Sequence, residues 1–524
     1  MNQATSASRR VLQLGASLLV VSLFAGCATY EAQTQAFDQS SKSGSIGSAI
    51  AQIDQQVAKS VGSKDEIVFR LEQGATLRTA ALSDPTSLPS ILPPPPKVKS
   101  GEQPPPAPPA PTPEEIRAFY AKRSIEAFDA AEDRVNRYEE QAKVKVGSEI
   151  GAALTNLANL PYRGRSYDKV MMNTYKALNY MALGDKDKAR VELNRSLQRQ
   201  RDAVAENEKR IAEAQETAEK AARGEIKDES GKSAAYDTRR ASSDLRTGPA
   251  LQATLDASLA PMKPYGDYVN PFAVFLDGLF FTVAGETGDD WERGRKSFER
   301  VAAIVPDNNF LREDLNAAAS AAEGKKVEGV TYVIFETGSA PKRVETRVDI
   351  PTFVVTSRLA YVGAAFPKLQ FVGDYFGNLS VSADGQQVAT ATVASMDSVV
   401  ANDFKNEWPT IVTKTMITAA TKAIIAATVQ KQVEDQAGGM WGMLAGAVMG
   451  GINAATTVAD TRTWSSLPKE FQYARLATPA SRELTLGAGP HQQTVKLVDG
   501  SVNIVYVKSV STSAPLLVSQ FALK

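Results

Sequence analysis

The spacing of apolar residues changes once along this chain, near Lys326, and that change sets the fold class. Before it, apolar side chains recur three and four residues apart: Ile46, Ile50, Ile53 and Val57, then Ile67, Leu71 and Leu77. Such spacing lines one face of a helix. After it, Val330, Tyr332 and Ile334 alternate with their neighbours, and Val344, Thr346, Val348 and Ile350 alternate with Glu345, Arg347 and Asp349. A period of two belongs to strands with one wet face, and Gly338-Ser339-Ala340-Pro341 between the runs predicts a hairpin. Asp384-Gly385 and Asp499-Gly500 predict two further hairpin turns, because that dipeptide suits the positive backbone angles of tight turns. The expected fold is therefore α+β and multidomain, with a helical region over 114–325 and a mainly antiparallel, β-rich domain over 326–524 that carries inserted helices.

One long helix interrupts the strands from about Met396 to Gln436, with Ile411, Ile417, Ile424 and Ile425 as apolar positions. Between Asp435 and Asp460 no residue is charged, and Gly438, Gly442, Gly446 and Gly450 fall at every fourth position. On a helix they form one bare stripe, the pattern of small-residue helix contacts in membranes. Glycine costs about 1 kcal/mol per helix position relative to alanine, so the stripe calls for close packing to offset it. It could pack inside its own domain, against a partner or a second copy of the chain, or in a bilayer. The stretch Asp460 to Pro468 follows, either as a junction in which Trp464 and Leu467 bury the turn or as a loop where Trp464 meets a partner. Asp460 and Arg462 are placed there to pair or to cap a helix end.

The N-terminus reads as an export signal over 1–26. Arg9 and Arg10 precede an uncharged, mostly apolar stretch from Val11 to Phe24, and Ala25 and Gly26 stand before Cys27. About 14 residues rise about 21 Å as a helix, too short for a bilayer core of roughly 30 Å. Cys27 is the only cysteine in the chain, which argues against a disulfide framework. Phe24-Ala25-Gly26-Cys27 resembles the bacterial lipobox. The resemblance implies that the Cys27 thiol receives a diacylglyceryl group, that cleavage follows Gly26 and that the new amine is acylated with a fatty acid such as palmitate. Ala28, where an inner-membrane lipoprotein would carry Asp, implies the outer membrane, with the body in the periplasm or at the cell surface. Residues 27–83 are then the lipid-anchored N-terminus and first helices.

The stretch Asp84 to Pro113 is proline-rich, holding Pro93 to Pro96, Pro104 to Pro106, Pro108, Pro109, Pro111 and Pro113. Prolines cannot donate the backbone bonds of helix or sheet, so 84–113 is expected to be an extended linker or loop. Thr112-Pro113-Glu114-Glu115 then opens a capped helix. Tyr175 to Leu193 reads as two helices joined at Gly184-Asp185, with Ala177 and Ala189 as small residues where the helices cross. This resembles a tetratricopeptide repeat, and Gly278, Phe281, Gly285, Gly294, Phe298, Val301 and Pro306 resemble a second copy with a longer turn. The other reading is an irregular helical bundle. Between the copies, Gln198 to Lys227 predicts a solvated helix and Asp228 to Gly248 a loop.

Charge and histidine content exclude several functions. Lys plus Arg and Asp plus Glu each total 59, whereas a nucleic-acid binder would show a basic excess. The single histidine, His491, follows Gly489-Pro490 in an expected surface turn, and zinc or Ser-His chemistry would need more. No cofactor, metal or catalytic residue is expected. The chain resembles a little-characterised family of proteobacterial outer-membrane lipoproteins with tetratricopeptide-like helices before a β-rich half. The residues that carry this are Tyr162-Arg163-Gly164 to Ala189-Arg190-Val191-Glu192, Pro271-Phe272 to Pro306-Asp307-Asn308, Phe335 to Pro341 and Ala459 to Pro468. The expected function is a lipid-anchored scaffold or adaptor, not an enzyme, that binds another envelope protein through its repeats and can self-associate. Two other readings are a carboxylate-based cell-wall hydrolase, which needs two facing carboxylates in a cleft, and an assembly accessory for a surface fibre or secretion pore.

Overall fold

The computed structural model describes residues 30–92, 109–144, 156–227, 235–262, 265–266, 268–352, 360–437 and 458–524. Cys27, Gly438, Gly442, Gly446, Gly450 and most of the proline run lie outside the described residues. The helices are α1 (Tyr30–Lys42), α2 (Ile46–Ser60), α3 (Glu66–Leu82), α4 (Pro113–Val144), α5 (Ser166–Ala182), α6 (Lys186–Ala222), α7 (Thr238–Ser242), α8 (Thr247–Leu259), α9 (Pro271–Ala284), α10 (Gly288–Ile304), α11 (Asn309–Ala322) and α12 (Met396–Ala437). All but α12 precede the first strand, so the architecture is α+β with segregated halves.

Local chemistry accounts for the helix ends. Thr112 and Glu115 cap α4 reciprocally: the Glu115 N–H donates to Thr112 Oγ1 at 3.2 Å and the Thr112 N–H to Glu115 Oε2 at 2.7 Å. Gly184, at φ +76°, makes the turn between α5 and α6, and the Asp185 side chain caps α6. Asn270 caps α9, with Pro271 in its first turn. Close helix pairs use glycine. A Cβ at Gly74 of α3 would overlap the Phe128 ring of α4, and one at Gly278 of α9 would come 3.1 Å from Phe298 of α10.

Two expectations about the middle of the chain need correction. The end of α6 is not fully solvated, because Gln200, Ala203, Ala214 and Ala221 are buried and the helix packs along α12. Within 228–248, residues 238–242 form α7, and Tyr236 is buried with its hydroxyl donating to the Pro351 carbonyl at 3.1 Å. Polar composition there is offset by one aromatic that reaches the core.

Eleven strands follow among the described residues: β1 (Val330–Thr337), β2 (Lys342–Pro351), β3 (Tyr361–Gln370), β4 (Ser380–Ala383), β5 (Gln386–Ala389), β6 (Ala391–Ser395), β7 (Glu470–Ala477), β8 (Glu483–Ala488), β9 (His491–Lys496), β10 (Val502–Ser509) and β11 (Leu517–Ala522). They form a five-stranded sheet in the order β11-β10-β1-β7-β6, a β2-β3 ribbon and a four-stranded sheet in the order β5-β4-β8-β9. Pairing is antiparallel except between β1 and β10.

The hairpin expected between β1 and β2 is absent. Strand β1 lies between β10 and β7, while β2 pairs with β3. The reason is that β1 has no wet face. Tyr332 and Ile334 enter the core shared with the helices, whereas Val333 and Phe335 enter a second core with Leu379 and with Val381, Leu484 and Leu486 of the four-stranded sheet. Gly338 to Pro341 therefore carries the chain from one sheet to another. Asp384-Gly385 does form the β4–β5 turn, with φ of 46° and 79°. Asp499-Gly500 does not form a hairpin, since β9 and β10 belong to different sheets. The largest core runs from Ile67 to Leu523 and includes residues on both sides of position 326. Among the described residues, no helix is long and apolar enough to cross a membrane.

Candidate functional site

An open groove of about 740 Å³ lies between α4 and α6, with Tyr180 of α5 in its lining. Its floor is an ion network. Lys176 of α5 has no exposed surface, and its Nζ lies 2.7 Å from Asp129 Oδ1, 2.8 Å from Glu132 Oε2 and 3.0 Å from Glu192 Oε1. Asn173 Nδ2 donates to Glu132 Oε1 at 3.0 Å and Glu192 Oε2 at 2.7 Å, and Arg195 closes the network from the rim. Burial disfavours the ammonium, but Glu132 and Glu192 outweigh it and hold the Lys176 pKa above its ordinary value. Burial likewise works against the Glu132 carboxylate, and Lys176 more than compensates, leaving its pKa lowered.

The rim is exposed and charged. Arg199 is engaged by Glu139 at 3.0 Å and Asn136 at 2.7 Å, and Lys188 by Asp185 at 3.0 Å. Asp133 is exposed and makes no ion pair among the described residues. Among the described residues Asp202 accepts only from Gln198, at 2.7 Å, and Val191 on the wall is 46% exposed. In all, five carboxylates and three cations line the groove. It can therefore hold a polar surface with cationic side chains.

A second feature is the junction after the glycine-striped segment. Trp464 is fully buried, packed on Phe128 and Tyr175 at ring distances of 5.7 and 5.9 Å, and its Nε1 donates to Ser466 Oγ at 2.9 Å. Of the two expectations for Trp464, the junction is the one observed: the ring has no surface for a partner. Asp460 and Arg462 pair at 2.7 Å, and Arg462 also reaches Asp65 at 3.0 Å and the Leu160 carbonyl at 2.8 Å. The glycine stripe itself lies outside the described residues.

The same junction clasps Glu72, which is completely buried. Its carboxylate accepts from the Ser465 N–H at 2.5 Å, Ser465 Oγ at 2.8 Å and the Ser466 N–H at 3.2 Å, and the Tyr30 hydroxyl lies at 3.3 Å. Asp38 of α1 competes for the same Ser465 proton and is itself paired with Lys342 of β2. Burial, followed by the Asp38 charge, pushes the Glu72 pKa up to about 7. A carboxyl whose folded pKa is raised stabilises the fold below its unfolded pKa and loses that contribution as pH rises through the folded pKa. Between about pH 5 and pH 8 stability should therefore fall by up to about 3 kcal/mol from this group. Thermal melts across that range should show Glu72→Gln losing this part of the slope, and identical slopes in the two proteins would rule the assignment out.

The hydrolase reading looks for two carboxylates in opposed environments. Asp403 and Glu407 lie one turn apart on α12. Burial raises Asp403 to about 6, while Arg343 and Arg165 overcome burial and bring Glu407 down to about 2. The cavity beside Asp403 holds only about 10 Å³, room for one water and not for a sugar ring. Among the described residues no group of His, Cys, Asp and Glu side chains is arranged to hold a metal. His491 opens β9, with Nε2 3.2 Å from the Thr512 carbonyl.

Sequence reasoning missed Lys176, Glu132 and Glu192. The available signal was position: Lys176 sits between Tyr175 and Ala177 on the inward face of α5, where a cation requires carboxylate partners. The chain matches no family model, no curated protein and no solved structure.

Proposed function

We propose that this chain is a lipid-anchored scaffold of the outer membrane that holds a basic segment of another envelope protein in the groove between α4 and α6. The observation that carries the reading is the build of the groove. Its floor is a fully paired ion network that resists deformation, and on its exposed rim Asp133 and Asp202 make no ion pair among the described residues and so offer free negative charge. The lining residues run over 129–136 of α4 and 188–202 of α6, about 12 and 22 Å of helix, a scale suited to a short partner helix or peptide. The finer reading, tetratricopeptide-like pairs in α5–α6 and α9–α10, is supported by buried Ala177 and Ala189 and by the Gly278–Phe298 approach. Stacked helix pairs of that kind present concave surfaces to partners.

Anchorage at Cys27 fits the position of α1. Tyr30 begins that helix, and its hydroxyl donates to the Thr463 carbonyl at 2.8 Å. Three residues of chain reach about 10 Å, so a lipid on Cys27 would hold the body close to the bilayer. We place it on the periplasmic face, with surface exposure as the alternative.

A photo-crosslinker at Val191 should trap a discrete product in intact cells. The pair Asp133→Lys and Asp202→Lys should reduce that product on the order of tenfold, since reversed charges both lose attraction and add repulsion. Melting temperature should not move, because both side chains lie at the rim. An undiminished product from the reversed protein would refute the groove as the docking site.

A further inference from the structure

Two sheet edges meet on the far side of the β half. Among the described residues, strand β9 pairs only with β8 and β11 only with β10, so each is the edge of its own sheet. The two edges flank an open cleft of about 230 Å³, with Arg117 of α4 beside it. An edge strand leaves every second backbone N–H and C=O without a ladder partner.

One side chain already uses this edge. The Gln520 amide of β11 donates to the Lys496 carbonyl at 2.6 Å and accepts from the Val498 N–H at 3.0 Å. In a parallel ladder, one residue bonds the carbonyl before and the N–H after its opposite number on the neighbouring strand. Residues 496 and 498 stand in that relation around Leu497, so the Gln520 amide takes the place of one peptide unit of a parallel strand. The ladder stops there. Gln493 to Val495 continue along the cleft, with no strand on that side among the described residues.

We propose that an extended acidic peptide adds to the β9 edge as a strand, in the cleft between β9 and β11. This mode of recognition draws affinity from main-chain hydrogen bonds and specificity from alternate side chains. Charge selects the occupant. The charged residues lining the cleft are Arg117 and Lys496, both cations. Glu483, opposite Lys496 on β8, makes no ion pair with it among the described residues. A second copy of the chain docking edge to edge would bring these cations together, whereas glutamates or aspartates on alternate positions of a peptide would meet them. Lys496 thus acts against self-pairing and for an acidic strand. The β9 edge, six residues long, spans about 20 Å, enough for a short linear segment.

The test uses the full chain in detergent and a labelled peptide as long as β9 that alternates valine with glutamate. Fluorescence anisotropy should show saturable binding, and amide exchange at 492–496 should slow when the peptide is present. The same peptide N-methylated at alternate backbone nitrogens should not bind, because its main chain can no longer donate to the edge. The variant Arg117→Glu with Lys496→Glu should bind the acidic peptide on the order of tenfold more weakly at an unchanged melting temperature. Equal binding of the N-methylated peptide would overturn the proposal, as would no binding of the parent peptide. Finding 492–496 already protected in a free chain of doubled mass would overturn it too, by assigning the edge to a second copy.

Discussion

A Cys27→Ser chain is expected to take up no labelled palmitate and to disappear from the outer-membrane fraction. Lipidation is proposed at that thiol because Phe24-Ala25-Gly26-Cys27 has the lipobox form and because no other cysteine exists to receive the lipid. Each buried methylene contributes about 0.8 kcal/mol, so one chain holds a protein marginally and several hold it stably. Serine removes the nucleophile that accepts the diacylglyceryl group and leaves the body unchanged. No described helix can span the bilayer to substitute for the lipid. Inhibition of the lipoprotein-specific signal peptidase should, in the same way, accumulate the unprocessed precursor of the unaltered chain. Continued acyl labelling of Cys27→Ser, or its retention in the outer membrane, would discard the lipoprotein reading while leaving the groove and the β9 edge untouched.

Lys176→Met should be the most damaging single substitution in the folded body. It removes the cation that Glu132 and Glu192 share, and these carboxylates are 7% and 4% exposed. Breaking a buried pair by deleting one partner costs about 3–5 kcal/mol, because the stranded charge is neither solvated nor paired. A fall in melting temperature of roughly 5–15 °C at pH 7 follows. Arg195 remains at the rim and compensates in part, at 2.8 Å from Glu192 Oε1. The pH dependence has a definite sign. In the unaltered chain Glu132 has a lowered pKa, so its contribution is present above the unfolded value of about 4.3 and is lost as pH falls through the folded one. In Lys176→Met that contribution is gone, so the gap between the two proteins should be wide at pH 7 and narrow only as pH falls below about 4. Adding Glu132→Gln and Glu192→Gln should restore much of the stability. A Lys176→Met protein that melts within about a degree of the original at pH 7 would show that the floor network is not the support inferred here.

Because the floor of the groove is also the site of that network, loss of Lys176 should weaken partner capture together with stability. Asp133→Lys with Asp202→Lys should weaken capture alone. The two variants therefore separate the fold of the groove from its surface chemistry.

The amino-acid sequence by itself determined the local elements. Ile46, Ile50, Ile53 and Val57 give α2 one apolar stripe, Thr112 and Glu115 start α4 and Gly184-Asp185 breaks α5 from α6. Met396 to Gln436 is helical, and Asp384-Gly385 turns β4 into β5. Each depends on side chains within a few residues of one another, so spacing along the chain contains the necessary information. What spacing does not contain is which faces become covered. By period alone Val330 to Thr337 is a half-wet strand, yet the side bearing Val333 and Phe335 is closed by a second sheet arriving from residues 379–486. Trp464 could have been a partner's anchor until Phe128 and Tyr175, hundreds of residues upstream, closed over it. Lys176, Glu132 and Glu192 each look solvated in sequence, and only the packing of α4, α5 and α6 removes their water and makes them partners. Burial and pairing are properties of distant segments brought together, and for that reason the groove and the β9 edge were decided by the tertiary structure alone.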